Sequence, residues 1–224
     1  ELTDIDLSKE NFPFMKFREG KVCGIDSRVF RISFTGELSF EVNVPSRYGR
    51  FVWEQFMQHG KKYNITPYGT ETMHVLRAEK GFIIVGQDTD GSVTPMDMNM
   101  DWIVSKKKQD FLGKRSFIRS DTSRSDRKKF VGLLVNDKKT VLPEGSHIVE
   151  KALKQPPMKM LGHVTSSYYS PNLGHPIALA MIKNGMNLLG EKVEIPLMNG
   201  KVIEATISDT CLLYTSDAAD ETEG

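Results

Sequence analysis

The feature that most constrains the fold is a series of short apolar segments in the C-terminal part of this 224-residue chain. Glycine and proline separate the segments, and no helical segment is predicted between them. Short strands in regular succession, without helices, are typical of a small antiparallel barrel or sandwich. The sequence therefore predicts a β-domain over residues 128–210. Its strands are expected at 130–135, 146–150, 161–165, 177–182, 192–196 and 202–207.

A polar stretch, residues 119–127, precedes this β-domain. It reads RSDTSRSDR and holds no large apolar side chain, which is typical of a linker. We therefore predict two domains, one over residues 1–120 and one over residues 128–210. The first is expected to mix strands with helices, so the predicted fold class is α+β.

Two strands are predicted in the first domain, at 29–34 and 40–44, with a turn at 35–38 between them. Apolar and polar residues alternate along both segments, as they do along half-buried strands. In the second strand this alternation directs Glu41 away from the apolar face, because successive side chains point to opposite sides. That face is formed by Phe40, Val42 and Val44.

Two helices are predicted after this hairpin. The first is expected to begin at Ser46, a good N-cap residue, and to end at Gly60. The second is expected over residues 71–80, with Arg77 at the edge of its apolar stripe. Further short strands are predicted at 82–85 and 102–104, and another helix from residue 111.

Composition excludes several classes of function. The net charge of +1 gives no reason to expect a nucleic-acid partner, and no apolar run approaches the roughly 20 residues of a membrane-spanning helix. The five histidines show no metal-ligand spacing, so no metal site is predicted. Two cysteines, Cys23 and Cys211, favour a reducing compartment over a disulfide framework, and hence a cytoplasmic location.

The last residues differ in character from the rest. Residues 211–221, CLLYTSDAADE, resemble a translated adapter of the transposase type used to prepare DNA libraries. Residues 211–224 are therefore expected to be a non-native tail and are excluded from fold reasoning. The chain is accordingly expected to be a fragment of a longer gene product.

Three motifs carry a resemblance to a known family. They are residues 34–41, FTGELSFE, residues 76–81, LRAEKG, and residues 110–114, DFLGK. The chain resembles the folate-binding aminomethyltransferase family, whose best-known member is the glycine cleavage T-protein. The resemblance implies that residues 1–120 are the C-terminal part of a folate-binding domain, followed by a small antiparallel β-barrel.

The amino-acid sequences of two further segments indicate a particular branch of this family. Residues 78–91, AEKGFIIVGQDTDG, and residues 105–115, SKKKQDFLGKR, are similar to the C-terminal region of the α subunit of heterotetrameric sarcosine oxidases. The resemblance implies oxidation of sarcosine to an imine, with transfer of its carbon to tetrahydrofolate. Glycine and 5,10-methylenetetrahydrofolate are the implied products. FAD, FMN and NAD are expected in the full complex rather than in this chain, as are the other sarcosine oxidase subunits.

The resemblance also implies a folate-binding site. Glu41 matches a pterin-binding carboxylate, Arg77 matches a folate-contacting arginine, and Phe34 takes the place of an aromatic residue beside the folate. The family has a tyrosine where this chain has Phe34, so a hydroxyl is missing. The family's catalytic aspartate corresponds to a position before Glu1, and no catalytic residue is therefore assigned.

Other interpretations of these residues remain open at this stage. Glu41 could be an ordinary solvated carboxylate, Arg77 could pair with Glu79 or Asp88, and Phe34 could be a core residue. Alternative functions are another enzyme of the family, namely a T-protein, a dimethylglycine oxidase or dehydrogenase, or a folate-dependent demethylase. The same residues are also compatible with a non-catalytic folate-binding protein or a purely structural interface module.

Overall fold

The computed structural model describes residues 1–214, and these form two compact units. The first comprises Glu1–His74 with Tyr214, and the second comprises Val75–Leu213. Residues 215–224, which hold most of the predicted adapter-derived tail, lie outside the described residues. The predicted division at 120 and 128 remains a prediction, because compact units and sequence domains need not share their boundaries.

The first unit contains a three-stranded antiparallel sheet in the order β1-β2-β3. Its strands are β1 (Phe17–Val22), β2 (Ile25–Phe30) and β3 (Glu41–Asn43). Cys23 and Gly24 both have positive φ, at 52° and 78°, as the two central residues of a type I′ hairpin turn require. The twist of such a turn matches that of the flanking strands, which explains why β1 and β2 pair along their whole length.

The predicted hairpin is wrong in its extent. Strand β2 ends at Phe30 rather than at residue 34, and residues 31–40 form a loop before β3. Phe30 pairs with Glu41, so the two strands do meet, but over three residue pairs only. The physical reason is that Arg31 forms its backbone hydrogen bonds with Met15 and Lys16, which keeps it beside the segment preceding β1.

Both predicted helices form, with small shifts at their ends. Helix α1 spans Gly49–Gly60 and follows a 3₁₀ turn at Ser46–Tyr48, so Tyr48 rather than Ser46 is its N-cap. Helix α2 spans Thr70–Glu79. The core of the first unit is small and consists of Phe12, Val22, Val29 and Val52 with partly buried neighbours.

The second unit contains a closed barrel of six antiparallel strands, which confirms the barrel among the two predicted architectures. Each strand lies where the sequence predicts one, within a few residues. They are β4 (Lys128–Val135), β5 (His147–Val149), β6 (Met160–Ser170), β7 (His175–Lys183), β8 (Lys192–Pro196) and β9 (Val202–Ser208), in the spatial order β4-β7-β6-β5-β8-β9. Closure removes the exposed edges that an open sheet would present.

Strand β7 is buried on both faces. Ala178, Ala180 and Ile182 point into the barrel, whereas the alternate residues belong to a second cluster outside it. That outer cluster includes Ala78 and Met98, so the segment after α2 covers this side of the barrel. This segment therefore packs as part of the barrel unit, although it precedes the predicted linker.

Three further predictions about this segment are wrong. Residues 82–84 are irregular and residue 85 begins a turn, so no strand forms there, and Asp101–Ile103 forms a 3₁₀ turn. The helix predicted from residue 111 is replaced by a 3₁₀ helix at Lys114–Ile118. Apolar character favoured strands at 82–85 and 102–104, but a strand also requires a neighbour with which to pair. Within residues 1–214, no helix has the length and apolar character needed to cross a membrane.

Candidate functional site

Glu41 is the first residue of β3, the edge strand of the small sheet. Its side chain is exposed, while Val42 is turned inward and Phe40, Val42 and Val44 pack against the core of the first unit. The predicted alternation along this strand is thereby confirmed. No hydrogen bond or ion pair joins the Glu41 carboxylate to any residue in the described part of the chain. Both of its oxygens are consequently available to a ligand.

Phe34 lies in the loop that connects β2 and β3. The residue is 42% exposed, whereas the next two residues, Thr35 and Gly36, are buried. Gly36 has a φ of 77°, a conformation in which glycine carries no steric penalty. Phe34 is therefore not a core residue, and the first unit presents both an aromatic ring and a carboxylate to solvent.

Arg77 lies in the last turn of α2 and is fully buried in the second unit. Its Nη1 atom donates to Asp88 Oδ2 at 2.5 Å and to the Phe82 carbonyl oxygen at 3.0 Å. Its Nη2 atom donates to Ser166 Oγ at 2.7 Å. Of the two acidic partners considered from the sequence, Asp88 is thus the one that pairs with Arg77. A direct contact from Arg77 to folate stays a prediction.

Asp88 is the acceptor at the centre of this cluster and is itself fully buried. Besides the Arg77 bond, its carboxylate accepts from the Ile84 amide at 2.9 Å and from the hydroxyls of Thr165 and Ser166, each at 2.6 Å. Four donors around one carboxylate compensate the loss of hydration that burial imposes on the charge. The cluster ties α2, the following loop and β6 together.

A β-bulge allows two consecutive residues of β6 to reach the same carboxylate. In a regular strand Thr165 and Ser166 would point to opposite faces. The pairing register between β6 and β7 shifts between Val164 and Ser166, which leaves Thr165 as the extra residue. Bulges re-aim side chains in this way and are frequent beside functional sites.

Gln87 extends the cluster towards the surface. Its Nε2 atom donates to Glu144 Oε1 at 2.7 Å and to both Ser166 Oγ and the Tyr168 hydroxyl at 3.1 Å. The Tyr168 ring lies 5.7 Å from the Arg77 guanidinium carbon, a cation–π distance. Sequence reasoning missed Tyr168 and the hydroxyls of Thr165 and Ser166, because these β6 residues lie about 90 positions from Arg77 in sequence. It also missed Gln87, whose acceptors Ser166 and Tyr168 belong to the same distant strand.

A second ion pair lies at the start of the barrel. Arg127, from the predicted linker, donates to Asp97 at 2.7 Å and to Asp121 at 2.7 Å. Burial alone would raise the pKa of Asp97, but hydrogen bonds from Arg127 and Thr94 outweigh it and hold the pKa below its usual value. The end of the predicted linker is therefore bonded to the segment that precedes it.

Within the described part of the chain, no group of histidine, cysteine, aspartate or glutamate residues is placed to hold a metal ion. Two family models match the sequence. The GCVT N-terminal domain matches residues 1–108, and the glycine cleavage T-protein C-terminal barrel domain matches residues 128–213. The fold and these matches together define the class: the chain belongs to the glycine cleavage T-protein family.

Comparison with individual relatives narrows the likeness within this family. The chain is 50% identical, over 94% of its length, to the sarcosine oxidase subunit alpha of Corynebacterium sp. strain P-1. It is 32% identical, over 92% of its length, to an aminomethyltransferase of Thermoanaerobacter sp. strain X514, of which it covers 54%. The chain spans 22% of the length of the Corynebacterium subunit.

A solved structure agrees with the fold. The aminomethyltransferase T of the glycine cleavage system from Bartonella henselae matches with a TM-score of 0.77 and 23% sequence identity. The match covers 92% of this chain and 54% of the Bartonella chain. At this level of identity the likeness establishes the fold and nothing about the ligand.

Proposed function

We propose that this chain is the tetrahydrofolate-binding region of a sarcosine oxidase α subunit. In this role it supports the oxidative demethylation of sarcosine to glycine and receives the one-carbon unit on tetrahydrofolate as 5,10-methylenetetrahydrofolate. The 50% identity to a sarcosine oxidase subunit alpha supports the choice of substrate. Membership of the T-protein family supports the use of folate.

The observation that carries the proposal is the free carboxylate of Glu41 on an exposed edge strand. A pterin ring presents an amino group and an adjacent ring N–H along one edge. An ionised carboxylate can accept both, one on each oxygen, in a bidentate pair. A carboxylate already occupied by a protein cation could not do this.

Phe34 supplies the second proposed contact. Its exposed ring offers an apolar face against which the flat pterin can stack. A phenylalanine at this position contributes stacking without a hydrogen bond. The proposed site therefore relies on Glu41 for orientation and on Phe34 for apolar contact.

Arg77 is the third residue that the family resemblance implies. Its Nη atoms are bonded to Asp88, Phe82 and Ser166, so a folate carboxylate would have to compete with these groups. We therefore build the proposed site on Glu41 and Phe34. FAD, FMN, NAD and the partner subunits belong to the proposal for the whole enzyme, in which a flavin would perform the oxidation.

Calorimetric titration of 5-formyltetrahydrofolate into the 224-residue chain tests the site. Glu41→Gln should weaken binding about 10- to 100-fold, because hydrogen bonds to a charged group are worth about 1.5–3 kcal/mol. The matched control is Glu10→Gln, which alters another exposed carboxylate of the same unit. Equal affinity in both variants and the parent would exclude Glu41 as the pterin contact.

A chimeric enzyme tests the choice of substrate. The chain would replace the corresponding region of the Corynebacterium subunit alpha, and sarcosine turnover would be followed with and without tetrahydrofolate. We expect 5,10-methylenetetrahydrofolate as the product in its presence and free formaldehyde in its absence. An aminomethyltransferase function, favoured by the 32% identity to the Thermoanaerobacter protein, predicts that the chimera forms 5,10-methylenetetrahydrofolate from sarcosine no faster than released formaldehyde condenses with tetrahydrofolate without a catalyst.

A further inference from the structure

The face of the three-stranded sheet that carries Glu41 is arranged in rows across the strands. Side chains that alternate with the core residues Val22 and Val29 point to this face, away from the core of the first unit. One row consists of Phe17, Phe30 and Glu41, because Phe17 pairs with Phe30 and Phe30 pairs with Glu41. The face therefore brings two aromatic rings and a carboxylate side by side, one from each strand.

Most other side chains of this face are charged and are paired across the strands. Arg28 donates to Glu19 at 2.7 Å, and Lys21 lies 3.9 Å from Asp26. Such charged pairs are typical of a sheet face that meets solvent. Two adjacent phenylalanines are the exception on this face. A large apolar side chain that stays exposed is informative, because contiguous apolar surface often marks a place where a ligand binds.

The aromatic pair is open to solvent on part of its surface. The rings of Phe17 and Phe30 lie 5.5 Å apart and are tilted by 34°, a favourable contact geometry that helps to hold β1 against β2. Contact between the two rings nevertheless leaves Phe17 50% exposed and Phe30 half-buried. The pair therefore offers apolar surface beside Glu41 in the same row, and a flat ring can cover that surface.

We propose that Phe17 and Phe30 form a second aromatic subsite, which binds the aminobenzoyl ring of tetrahydrofolate. This role rests on the proposed function and deepens it, since it takes Glu41 as the contact for the pterin edge. Tetrahydrofolate carries its aminobenzoyl ring on a short methylene-amine link, at the end of the pterin opposite the amino group. Neighbouring strands are about 4.8 Å apart, so β1 lies roughly 10 Å from β3. A folate held at Glu41 and extended along the row therefore brings its second ring to the aromatic pair.

The chemistry of the row fits this part of the ligand. The aminobenzoyl ring is flat and uncharged, so it matches the phenylalanine pair and not the row formed by Glu19 and Arg28 beside it. Covering the exposed part of Phe17 removes apolar surface from water and adds a contact between aromatic rings. Glu41 then recognises the pterin edge, and the aromatic pair makes the site prefer a folate over a free pterin.

Calorimetric titration with two ligands tests this subsite in the 224-residue chain. The ligand 5-formyltetrahydropteroate contains the aminobenzoyl ring without the glutamate tail, whereas 5-formyl-6-methyltetrahydropterin ends before that ring. Phe17→Ala should weaken binding of the pteroate about 3- to 10-fold and leave binding of the pterin unchanged. Phe17→Tyr keeps the aromatic ring and should retain the affinity of the parent for both ligands. Phe17→Leu keeps an apolar side chain in the strand and should show the same selective loss, so a folding defect of Phe17→Ala cannot decide the result.

Two further variants separate this subsite from the proposed pterin contact. Phe51→Ala removes a phenylalanine of α1 that is 43% exposed, and it should alter neither affinity. Glu41→Gln should weaken both ligands by the same factor. If the pterin binds and Phe17→Ala weakens both ligands equally, or neither, the aromatic subsite is excluded while the proposed function stands. If the folded parent binds neither ligand, the proposed function and the subsite are both overturned.

The chimeric sarcosine oxidase gives a second readout in a whole enzyme. Phe17→Ala should raise the KM for tetrahydrofolate about 3- to 10-fold, whereas Phe51→Ala should keep the KM of the parent chimera. Another part of the subunit is the alternative occupant of the aromatic row. In that case Phe17→Ala would lower the thermal stability or the assembly of the chimera and leave the KM unchanged, a result that overturns the proposal.

Discussion

The six-stranded barrel buries its apolar side chains more completely than the three-stranded sheet does. The barrel encloses a core in which Val131, Leu133 and Ile148 are completely inaccessible to solvent. The sheet belongs to a unit with four buried core side chains and several large exposed ones, including Phe17 and Trp53. The comparison teaches that the enclosed region buries most of the apolar core, whereas the open region leaves side chains such as Phe34 and Glu41 exposed to solvent.

The difference has a geometrical cause. A closed barrel pairs every strand on both sides, and its inward-facing residues fill the interior. A three-stranded sheet keeps two edges and covers one face at most, so it buries less apolar surface per residue. The buried arginines differ in the same way, because Asp88 neutralises Arg77 in the barrel unit, whereas no carboxylate among residues 1–214 pairs with Arg31 in the sheet unit.

The largest expected effect comes from breaking the buried ion pair of the barrel unit. Arg77→Met leaves Asp88 charged and buried, which should lower the free energy of unfolding by about 3–5 kcal/mol. Urea unfolding followed by circular dichroism measures this loss. Arg28→Met removes an exposed ion pair from the sheet and should cost about 1 kcal/mol or less. Equal losses of unfolding free energy in the two variants would contradict the difference drawn between the barrel and the sheet.

The next effect concerns packing within the barrel. Leu133 is fully buried and Leu134, its neighbour in β4, is 40% exposed. Leu133→Ala should lower the free energy of unfolding by about 2–5 kcal/mol through lost contacts and a cavity. Leu134→Ala makes the same leucine-to-alanine change at an exposed position, so it should lower the free energy of unfolding much less than Leu133→Ala does. Similar values for the two variants would show that β4 is not packed in this register.

A pH effect should follow from Asp97. Because its folded pKa lies below the unfolded value of about 3.9, its stabilisation is present above that pH and is lost as the pH falls through the folded pKa. Asp97→Asn should remove about 1.5–3 kcal/mol at neutral pH. The variant should also show a weaker loss of stability below about pH 4 than the parent.

Acid titration of the thermal midpoint measures this difference. Asp26→Asn is the matched control in the sheet, because Asp26 is exposed and lies 3.9 Å from its only ion-pair partner among the described residues, Lys21. That variant should retain the acid dependence of the parent. A parent and an Asp97→Asn variant with superimposable pH profiles would show that the Arg127 pair contributes nothing.

The smallest expected effect on stability comes from the residue with the largest proposed role in binding. Glu41 has no partner within residues 1–214, so Glu41→Gln should leave the urea midpoint unchanged within error. Combined with weakened folate binding, this result would show that Glu41, in the sheet unit, acts in binding and not in stability. A marked loss of stability would instead mean that Glu41 has a structural role.

Much of the fold could be predicted from sequence, and the barrel shows why. Its strands combine local alternation with glycine and proline at their ends, and both signals lie within about ten residues. The loop after β2 shows the limit. Alternation across residues 29–34 predicted a strand through residue 34, yet the strand ends at Phe30, where the backbone of Arg31 bonds to Lys16 and its side chain is buried.

By itself, the sequence determined the family, the positions of the six barrel strands and the outward direction of Glu41. All of these depend on periodicity and motifs that are local along the chain. Only the tertiary structure decided that Arg77 is buried against Asp88 and that Thr165 forms a bulge. Only the structure shows that Arg31 is buried with an unpaired Nε and without a carboxylate partner among the described residues. Such outcomes depend on strand register and on contacts between residues far apart in sequence, and no local pattern encodes them.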